Sequence, residues 1–178
     1  MMCRSMKCIE PFTPSETRNH EQPLMNTFIM AIATGFWIGN MPKAPGTWGS
    51  LAALMPWLLI RGLTLPAYLL VLLAVFVIGF FAAGSAEKIL DRADAGPIVI
   101  DEILGMFITL TLAPDHPVAW ILGFLLFRLF DIWKPFPVSW FDQHIHGGLG
   151  IMMDDVMAGL YAFASLQLLW LLLGDFFV

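Results

Sequence analysis

The sequence predicts an all-α protein embedded in a membrane, with about five membrane helices and one further helix at the membrane interface. Hydrophobic residues make up 58% of the 178 residues and charged residues only 13%, whereas a soluble domain averages about 25% charged residues. The mean hydropathy is +0.77. A soluble domain of this size has too much surface to conceal so many apolar side chains. Helices are expected because a helix satisfies its own backbone hydrogen bonds inside lipid.

Five apolar stretches predict the membrane helices. A spanning helix needs about 20 residues, and only the second and fifth stretches reach that length without their polar flanks. Prolines and glycines between the stretches are expected to end the helices, because proline lacks the backbone donor that a helix requires. The stretches are 48–63, 65–84, 98–113, 118–130 and 149–173.

The N-terminal end differs from the rest of the chain. Residues 1–24 are polar and lack the apolar core of a signal peptide, so a disordered tail is expected before a membrane-embedded domain at 25–178. The short apolar stretch 28–38 is predicted to be interfacial or re-entrant. Both cysteines, Cys3 and Cys8, lie in the tail, and no disulfide framework or zinc site is indicated.

Alternating membrane crossings would bring most of the positive charges to one end of the protein. Turns on one side carry five Lys and Arg residues, and turns on the other side carry only Arg61. Because Lys and Arg are retained on the cytoplasmic side of a membrane, the first side is predicted to be cytoplasmic and the C-terminus external. The five residues are Lys43, Lys88, Arg92, Arg128 and Lys134.

The same alternation brings five acidic side chains to the predicted cytoplasmic end. Asp101 precedes Gly105 by four residues and Asp155 precedes Gly159 by four, so each acid shares a helical face with a glycine. Small residues let membrane helices approach closely, and the acids can then converge. Asp154 and Asp155 point about 100° apart on a helix and are expected to have different roles. The acids are Asp101, Glu102, Asp131, Asp154 and Asp155.

Carboxylates gathered in this way repel one another unless a cation lies between them. Hard oxygen ligands suit Mg²⁺, which commonly takes one or two carboxylates and completes its shell with water and substrate phosphate. Acidic residues inside or beside membrane segments are costly and tend to be functional. The acidic end is therefore predicted to hold Mg²⁺ and a phosphorylated lipid headgroup, while the lipid tails remain in the bilayer.

Basic and hydroxyl side chains near the acids are candidate phosphate contacts. Arg128 offers a bidentate fork and Lys134 a point charge. Lys43 lies in a loop rich in proline and glycine, whose exposed N–H groups are expected to cradle an anion together with Thr47 and Ser50.

The charged residues also have possible roles unrelated to catalysis. Arg128 and Asp131 are three residues apart on a helix and can simply pair. An ion-coupled carrier is one alternative function, although a carrier needs polar groups near the middle of the membrane. A non-catalytic membrane subunit that uses the acids to bind a partner is another. No basic tract suggests a nucleic acid partner, and the oligomeric state is not predicted.

Four motifs in order resemble one known family. "PKAPGTWGS", "DEILG", "FRLFDIWKPFP" and "GGLGIMMDDVMAG" are similar, in sequence and in spacing, to the motifs of bacterial phosphatidylglycerophosphatase A. Each motif alone is weak, but the four together are specific. The resemblance covers residues 32–173 and leaves the N-terminal tail without a counterpart.

The resemblance implies a multi-pass, Mg²⁺-dependent phosphatase of the bacterial inner membrane. Such an enzyme removes the terminal phosphate of phosphatidylglycerophosphate at the cytoplasmic face and leaves phosphatidylglycerol. The resemblance favours the same five acids as the catalytic set, and we expect Mg²⁺ to be held by some of Asp101, Glu102, Asp154 and Asp155. Asp131 or Asp154 is the candidate general base. Direct attack by water and an aspartyl-phosphate intermediate both stay open.

Overall fold

The chain folds into helices. The computed structural model describes residues 21–92, 95–136 and 138–176, and it contains no strand in these ranges, which confirms the predicted all-α class. The predicted tail lies outside the described residues up to residue 20, and the first helix already begins at Glu21. The α-helices are α1 (Glu21–Ala33), α2 (Pro45–Ala52), α3 (Leu54–Ile60), α4 (Leu65–Leu90), α5 (Ile100–Thr109), α6 (Pro117–Trp133), α7 (Val138–His144) and α8 (Gly147–Leu173).

Within the described ranges, two helices, α4 and α8, are long and apolar enough to cross a membrane by length and composition. The 17 residues of α6 extend about 25 Å and the 10 residues of α5 about 15 Å, against a hydrocarbon core of about 30 Å. About five membrane-spanning helices were expected, and two helices, α4 and α8, have the required length and composition. The apolar stretch 28–38 forms the end of α1, a helix of 13 residues, and then a turn.

Prolines explain why two of the predicted stretches give short helices. Pro56 lies in the first turn of α3, and in one continuous helix its ring would clash with the carbonyl of Ala52, so the stretch 48–63 divides into α2 and α3. In the stretch 98–113, the helix ends at Thr109. Leu112 then adopts a left-handed conformation with φ 53°, and the residue before Pro114 is disfavoured in a helix.

Helix α8 forms the centre of the bundle and packs against α4, α5, α6 and α7. Buried apolar side chains fill both sides of it. One cluster lies between α4, α5 and α8 and includes Ala83, Leu104 and Met152. The other lies between α5, α6 and α8 and includes Met106, Phe127, Ala158 and Leu166. The acidic segments of α5 and α8 are therefore held by core packing rather than by loops.

Glycines set the distances between the central helices. A Cβ atom on Gly159 would lie 2.7 Å from the carbonyl oxygen of Gly105, and one on Gly148 would lie 2.1 Å from that of Phe80. The close approach of α5 and α8 that the glycine spacing predicted is thus present. It occurs one helical turn beyond Asp101 and Asp155, so it brings their segments together.

The polar side chains separate to the two ends of the bundle. Arg61 forms an ion pair with Asp115, and its guanidinium lies 5.1 Å from the centroid of the Trp120 ring. This end holds the turns from α3 to α4 and from α5 to α6. The other end holds the starts of α2, α5 and α8 and the end of α6. The five acids of the predicted site thus lie at one end, and the ion pair of Arg61 with Asp115 lies at the other.

Gly159→Ala should destabilise the fold by about 1–3 kcal/mol, because the new methyl group meets backbone atoms that cannot move aside. Thermal unfolding in detergent measures the effect. Gly62→Ala is the matched control, since nothing lies within 4 Å of its Cβ position, and it should leave the melting temperature unchanged or slightly raised. Equal melting temperatures for the two variants would contradict the close approach of α5 and α8.

Candidate active site

Four of the five acidic side chains lie in two pairs of consecutive residues, one on α5 and one on α8, and the fifth, Asp131, lies near the end of α6. Asp101 and Glu102 occupy the first turn of α5, where the helix dipole favours negative charge. The Oδ1 atom of Asp101 accepts a hydrogen bond of 3.0 Å from the backbone N–H of Glu102. On α8, Oδ1 of Asp154 accepts the same bond, also 3.0 Å, from the N–H of Asp155.

Three of these carboxylates converge. Asp101, Glu102 and Asp155 each offer an oxygen, and the three oxygens lie within 4.8 Å of one another. We refer to these residues as the carboxylate triad. Asp101 is 8% exposed and Asp155 only 4%. The Oε2 atom of Glu102 and the Oδ2 atom of Asp155 are buried without a hydrogen-bond partner in the described part of the chain. The triad therefore has two buried oxygens whose lone pairs accept no hydrogen bond from the described residues.

Burial changes the protonation of the α5 acids. Burial is the main cause that raises the pKa of Glu102 from 4.5 to about 8. A hydrogen bond from Asp101 lowers this pKa, and the charges of Asp155 and Asp131 raise it. Burial also raises the pKa of Asp101 well above its usual value, and the charge of Glu102 adds to the effect. Both groups thus favour a bound proton or another bound cation.

Arg128 borders the triad from α6. Its Nη1 atom lies 2.6 Å from Oδ2 of Asp131 and 3.4 Å from the hydroxyl oxygen of Ser50, while its Nε atom has no partner among the described residues. Ser50 is fully buried and donates a hydrogen bond of 2.7 Å to the carbonyl of Gly46. Asp131 and Ser50 thus hold the guanidinium in place, and its Nε–H has no acceptor among the described residues.

The second cation, Lys134, lies at the C-terminal cap of α6 in a left-handed conformation with φ 46°. Its Nζ atom is 2.8 Å from Oδ2 of Asp154. Buried carboxylates, a fixed guanidinium and an ammonium group therefore lie together at one end of the bundle. Such an arrangement can bind a divalent cation and a phosphate group side by side.

Comparison with known proteins identifies the family. The family model described as Phosphatidylglycerophosphatase A matches residues 31–170. The chain belongs to the phosphatidylglycerophosphatase A family. Two relatives named Phosphatidylglycerophosphatase A are 44% identical over 72% of this chain and 75% of the Escherichia coli protein, and 41% identical over 75% of this chain and 83% of the Haemophilus influenzae protein. Membership confirms the predicted phosphoric monoester hydrolase class.

A third relative carries a different name. A Bacteroides thetaiotaomicron protein named "Putative phosphatidylinositol-3-phosphatase" is 41% identical over 74% of this chain and 87% of its own length. No solved structure matches the chain.

The structure groups most of the predicted site residues and separates a few. Of the four predicted metal ligands, Asp101, Glu102 and Asp155 form the triad, whereas Asp154 is paired with Lys134. The two adjacent aspartates thus differ in surroundings, as their angular separation predicted. Arg128 and Asp131 form the ion pair that their spacing allowed.

The segment predicted to be a loop that cradles an anion is largely helical. The segment becomes helix α2 from Pro45 onward, and the N–H groups of Thr47 and Trp48 donate to the carbonyl of Ala44 at 3.0 and 3.3 Å. Those donors are therefore engaged within the helix. Lys43 is exposed and Thr47 half-buried, while Ser50 contacts Arg128.

Gly46 is a site residue that the sequence reasoning did not single out. A Cβ atom there would lie 2.1 Å from Oε1 of Glu102 and 3.2 Å from Nη1 of Arg128. A side chain at this position would therefore displace the carboxylate of Glu102 from its place beside Arg128. The available signal was its position as the second residue of a short helix, where glycine lowers helix stability and so needs another reason to be present.

Without divalent cations, the protein should lose stability as the pH rises from about 4.5 toward about 8. Folding raises the pKa of Glu102 from 4.5 to about 8. The stabilisation that comes from the protonated Glu102 of the folded state is therefore complete at pH values below 4.5 and is lost as the pH rises through about 8. Glu102→Gln should reduce this slope, as measured by melting temperature against pH in detergent with chelator. Asp115→Asn, at the other end of the bundle, should keep the wild-type slope. Identical slopes for Glu102→Gln and wild type would contradict this account.

Proposed function

We propose that this chain hydrolyses phosphatidylglycerophosphate to phosphatidylglycerol and inorganic phosphate, in a Mg²⁺-dependent reaction at the cytoplasmic surface of the bacterial inner membrane. The observation that carries the proposal is the carboxylate triad, with three oxygens within 4.8 Å, beside a fixed guanidinium. The names of the Escherichia coli and Haemophilus influenzae relatives support the substrate.

The triad fits Mg²⁺ by its donor chemistry. All of its donors are carboxylate oxygens, the ligand type that Mg²⁺ prefers, and two of these oxygens are buried without a partner in the described chain. Asp101, Glu102 and Asp155 would hold the ion. When bound, Mg²⁺ would offset charge on the phosphoryl oxygens and lower the pKa of a coordinated water.

Arg128 is the residue we assign to the phosphate. Its planar fork suits two phosphoryl oxygens at once, and the contacts with Asp131 and Ser50 fix its orientation before substrate arrives. A positive charge held in place costs no reorganisation when negative charge develops on the phosphoryl group. Lys134 has a supporting role, because it neutralises Asp154 next to the triad.

Asp131 is the better of the two candidate bases. Both candidates are in ion pairs, but the cation beside Asp131 is Arg128, at 2.6 Å, which we assign to the phosphate. Asp131 would therefore lie beside the bound phosphate, whereas the cation beside Asp154 is Lys134. In direct hydrolysis, Asp131 takes a proton from the attacking water. A bond from the water oxygen to phosphorus forms and the bond from phosphorus to the glycerol oxygen breaks. The glycerol oxygen takes up the proton that Asp131 accepted, which restores the carboxylate. Acid-quench trapping of labelled phosphate on the protein would identify an aspartyl-phosphate route instead.

A membrane location is supported by exposure and charge. In the most apolar 18-residue segment of α4 only 17% of the residues are buried, and in that of α8 only 22%. Exposed apolar surfaces this large need to be covered by lipid or protein. The core helix of a soluble protein would be mostly buried. The excess of Lys and Arg at the triad end supports a cytoplasmic orientation of that end.

Asp155→Asn and Asp101→Asn should each lower phosphate release by roughly a hundredfold or more, the scale seen when one electrostatic contact to a reacting group is lost. The assay uses purified protein in mixed micelles with phosphatidylglycerophosphate and a Mg²⁺ series. Asp115→Asn, whose side chain is 72% exposed at the other end, should retain activity. Wild-type activity in both triad variants would remove the metal-site assignment.

The same assay separates the alternative functions. A phosphatidylinositol phosphate in the substrate series tests the activity in the name of the Bacteroides relative. An ion-coupled carrier would give cation flux in vesicles without hydrolysis, and a non-catalytic subunit would give neither.

Arg128→Lys should lower kcat/KM by about tenfold or more, because lysine keeps the charge but loses the planar fork proposed for the phosphate and the contacts of Nη1 with Asp131 and Ser50. Competitive inhibition by inorganic phosphate should weaken in parallel. Arg61→Lys, at the opposite end of the bundle, is the matched control and should leave both values unchanged. Equal inhibition constants for Arg128→Lys and wild type would show that Arg128 does not bind the phosphate.

A further inference from the structure

The short helix α2 contacts both α5, which carries Glu102, and α6, which carries Arg128. Two of its residues, Gly46 and Ser50, are buried. They are four residues apart, so they lie on the same side of the helix. We refer to these two residues as the α2 face. The α2 face touches one metal-ligand candidate and the phosphate-contact candidate at the same time.

Gly46 brings the backbone of α2 against both of these side chains. A Cβ atom on Gly46 would lie 2.1 Å from Oε1 of Glu102 and 3.2 Å from Nη1 of Arg128. The carboxylate oxygen and the guanidinium nitrogen therefore both lie within 3.2 Å of one point on this helix. The contact removes the space beside α2 from the positions that the Glu102 carboxylate can take.

Ser50 acts on Arg128. Its hydroxyl donates a hydrogen bond of 2.7 Å to the carbonyl of Gly46, which uses the only hydrogen of the hydroxyl and leaves the oxygen lone pairs as acceptors. Nη1 of Arg128 donates to that oxygen at 3.4 Å. The sequence predicted Ser50 as a phosphate contact, but the residue is 0% exposed. Its effect on a bound phosphate therefore passes through Arg128.

We propose that the α2 face sets the separation between Glu102 and Arg128, and with it the separation between bound Mg²⁺ and the substrate phosphate. This inference rests on the proposed function and adds the element that aligns its two binding groups. Gly46 is the positioning residue for the metal ligand, and Ser50 is the positioning residue for the phosphate contact. Alignment of this kind matters because a misplacement of about 1 Å can cost about 100-fold in rate.

Two substitutions on the α2 face should have different effects. Gly46→Ala displaces the Glu102 carboxylate and should raise the apparent dissociation constant of Mg²⁺ about tenfold. Ser50→Ala removes the acceptor for Arg128 and should raise the dissociation constant of inorganic phosphate about threefold to tenfold, with the Mg²⁺ constant unchanged. Both constants are measured in detergent from the rise in melting temperature, with added magnesium chloride and then with inorganic phosphate at saturating Mg²⁺.

Thr109→Ala is the matched control for Ser50→Ala. The Thr109 hydroxyl is also 0% exposed and donates at 2.8 Å to the carbonyl of a glycine four residues earlier, Gly105. Both variants should lower the melting temperature in chelator, but Thr109→Ala should leave the phosphate constant unchanged. Gly96→Ala is the control for Gly46→Ala, because its Cβ atom would make an ordinary contact of 3.8 Å with Pro45 at the start of α2.

The inference is overturned if Gly46→Ala and Gly96→Ala give equal Mg²⁺ constants, or if Ser50→Ala and Thr109→Ala give equal phosphate constants. Ser50→Cys is the second variant if Ser50→Ala does not fold, and it should also weaken phosphate binding because sulfur is a weak acceptor. If the wild-type protein releases no phosphate from phosphatidylglycerophosphate, the proposed function fails instead. The melting measurements need no turnover, so they decide the role of the α2 face in that case too.

Discussion

Repulsion between buried carboxylates is the constraint on which the rest of the structure depends. Two like charges 4 Å apart repel by about 4 kcal/mol at an effective dielectric constant near 20, and the oxygens of the triad lie within 4.8 Å of one another. The fold brings them together even so, through the glycine contact of α5 with α8 and the approach of Gly46 to Glu102. Core packing thus opposes the repulsion, and a bound proton or metal cation relieves it.

The convergence of the acids could be predicted from the sequence because it depends on local features. Breakers divide the chain into helices, alternation brings their acidic ends together, and a glycine four residues after each of Asp101 and Asp155 marks the contact face. The helix count was harder to predict. Hydropathy does not distinguish one long helix from two short ones, and the effect of Pro56 depends on where its helix begins.

Two parts of the site needed the structure because they depend on tertiary packing. Helix α8 is apolar on nearly all sides, so its sequence alone does not indicate which of Asp154 and Asp155 faces α5. Helix α2 contains two glycines, which favours a loop by propensity, yet it is helical. A Cβ atom on Gly49 would lie 2.7 Å from Cβ of Val99, so these glycines allow close packing on the segment before α5.

In the proposed membrane orientation, the length of α8 puts the triad near one surface of the bilayer. From Asp155 to Leu173 the helix extends about 27 Å, close to the thickness of a hydrocarbon core of about 30 Å. The Tyr161 hydroxyl donates a hydrogen bond of 3.0 Å to the carbonyl of Phe136, and helical side chains lean toward the N-terminus, so the exposed Phe136 lies near the level of the triad. Trp side chains favour the membrane interface, and the exposed Trp133 immediately precedes Lys134, which contacts Asp154. With the triad at that level, a lipid phosphate could reach it while the tails stay in the bilayer.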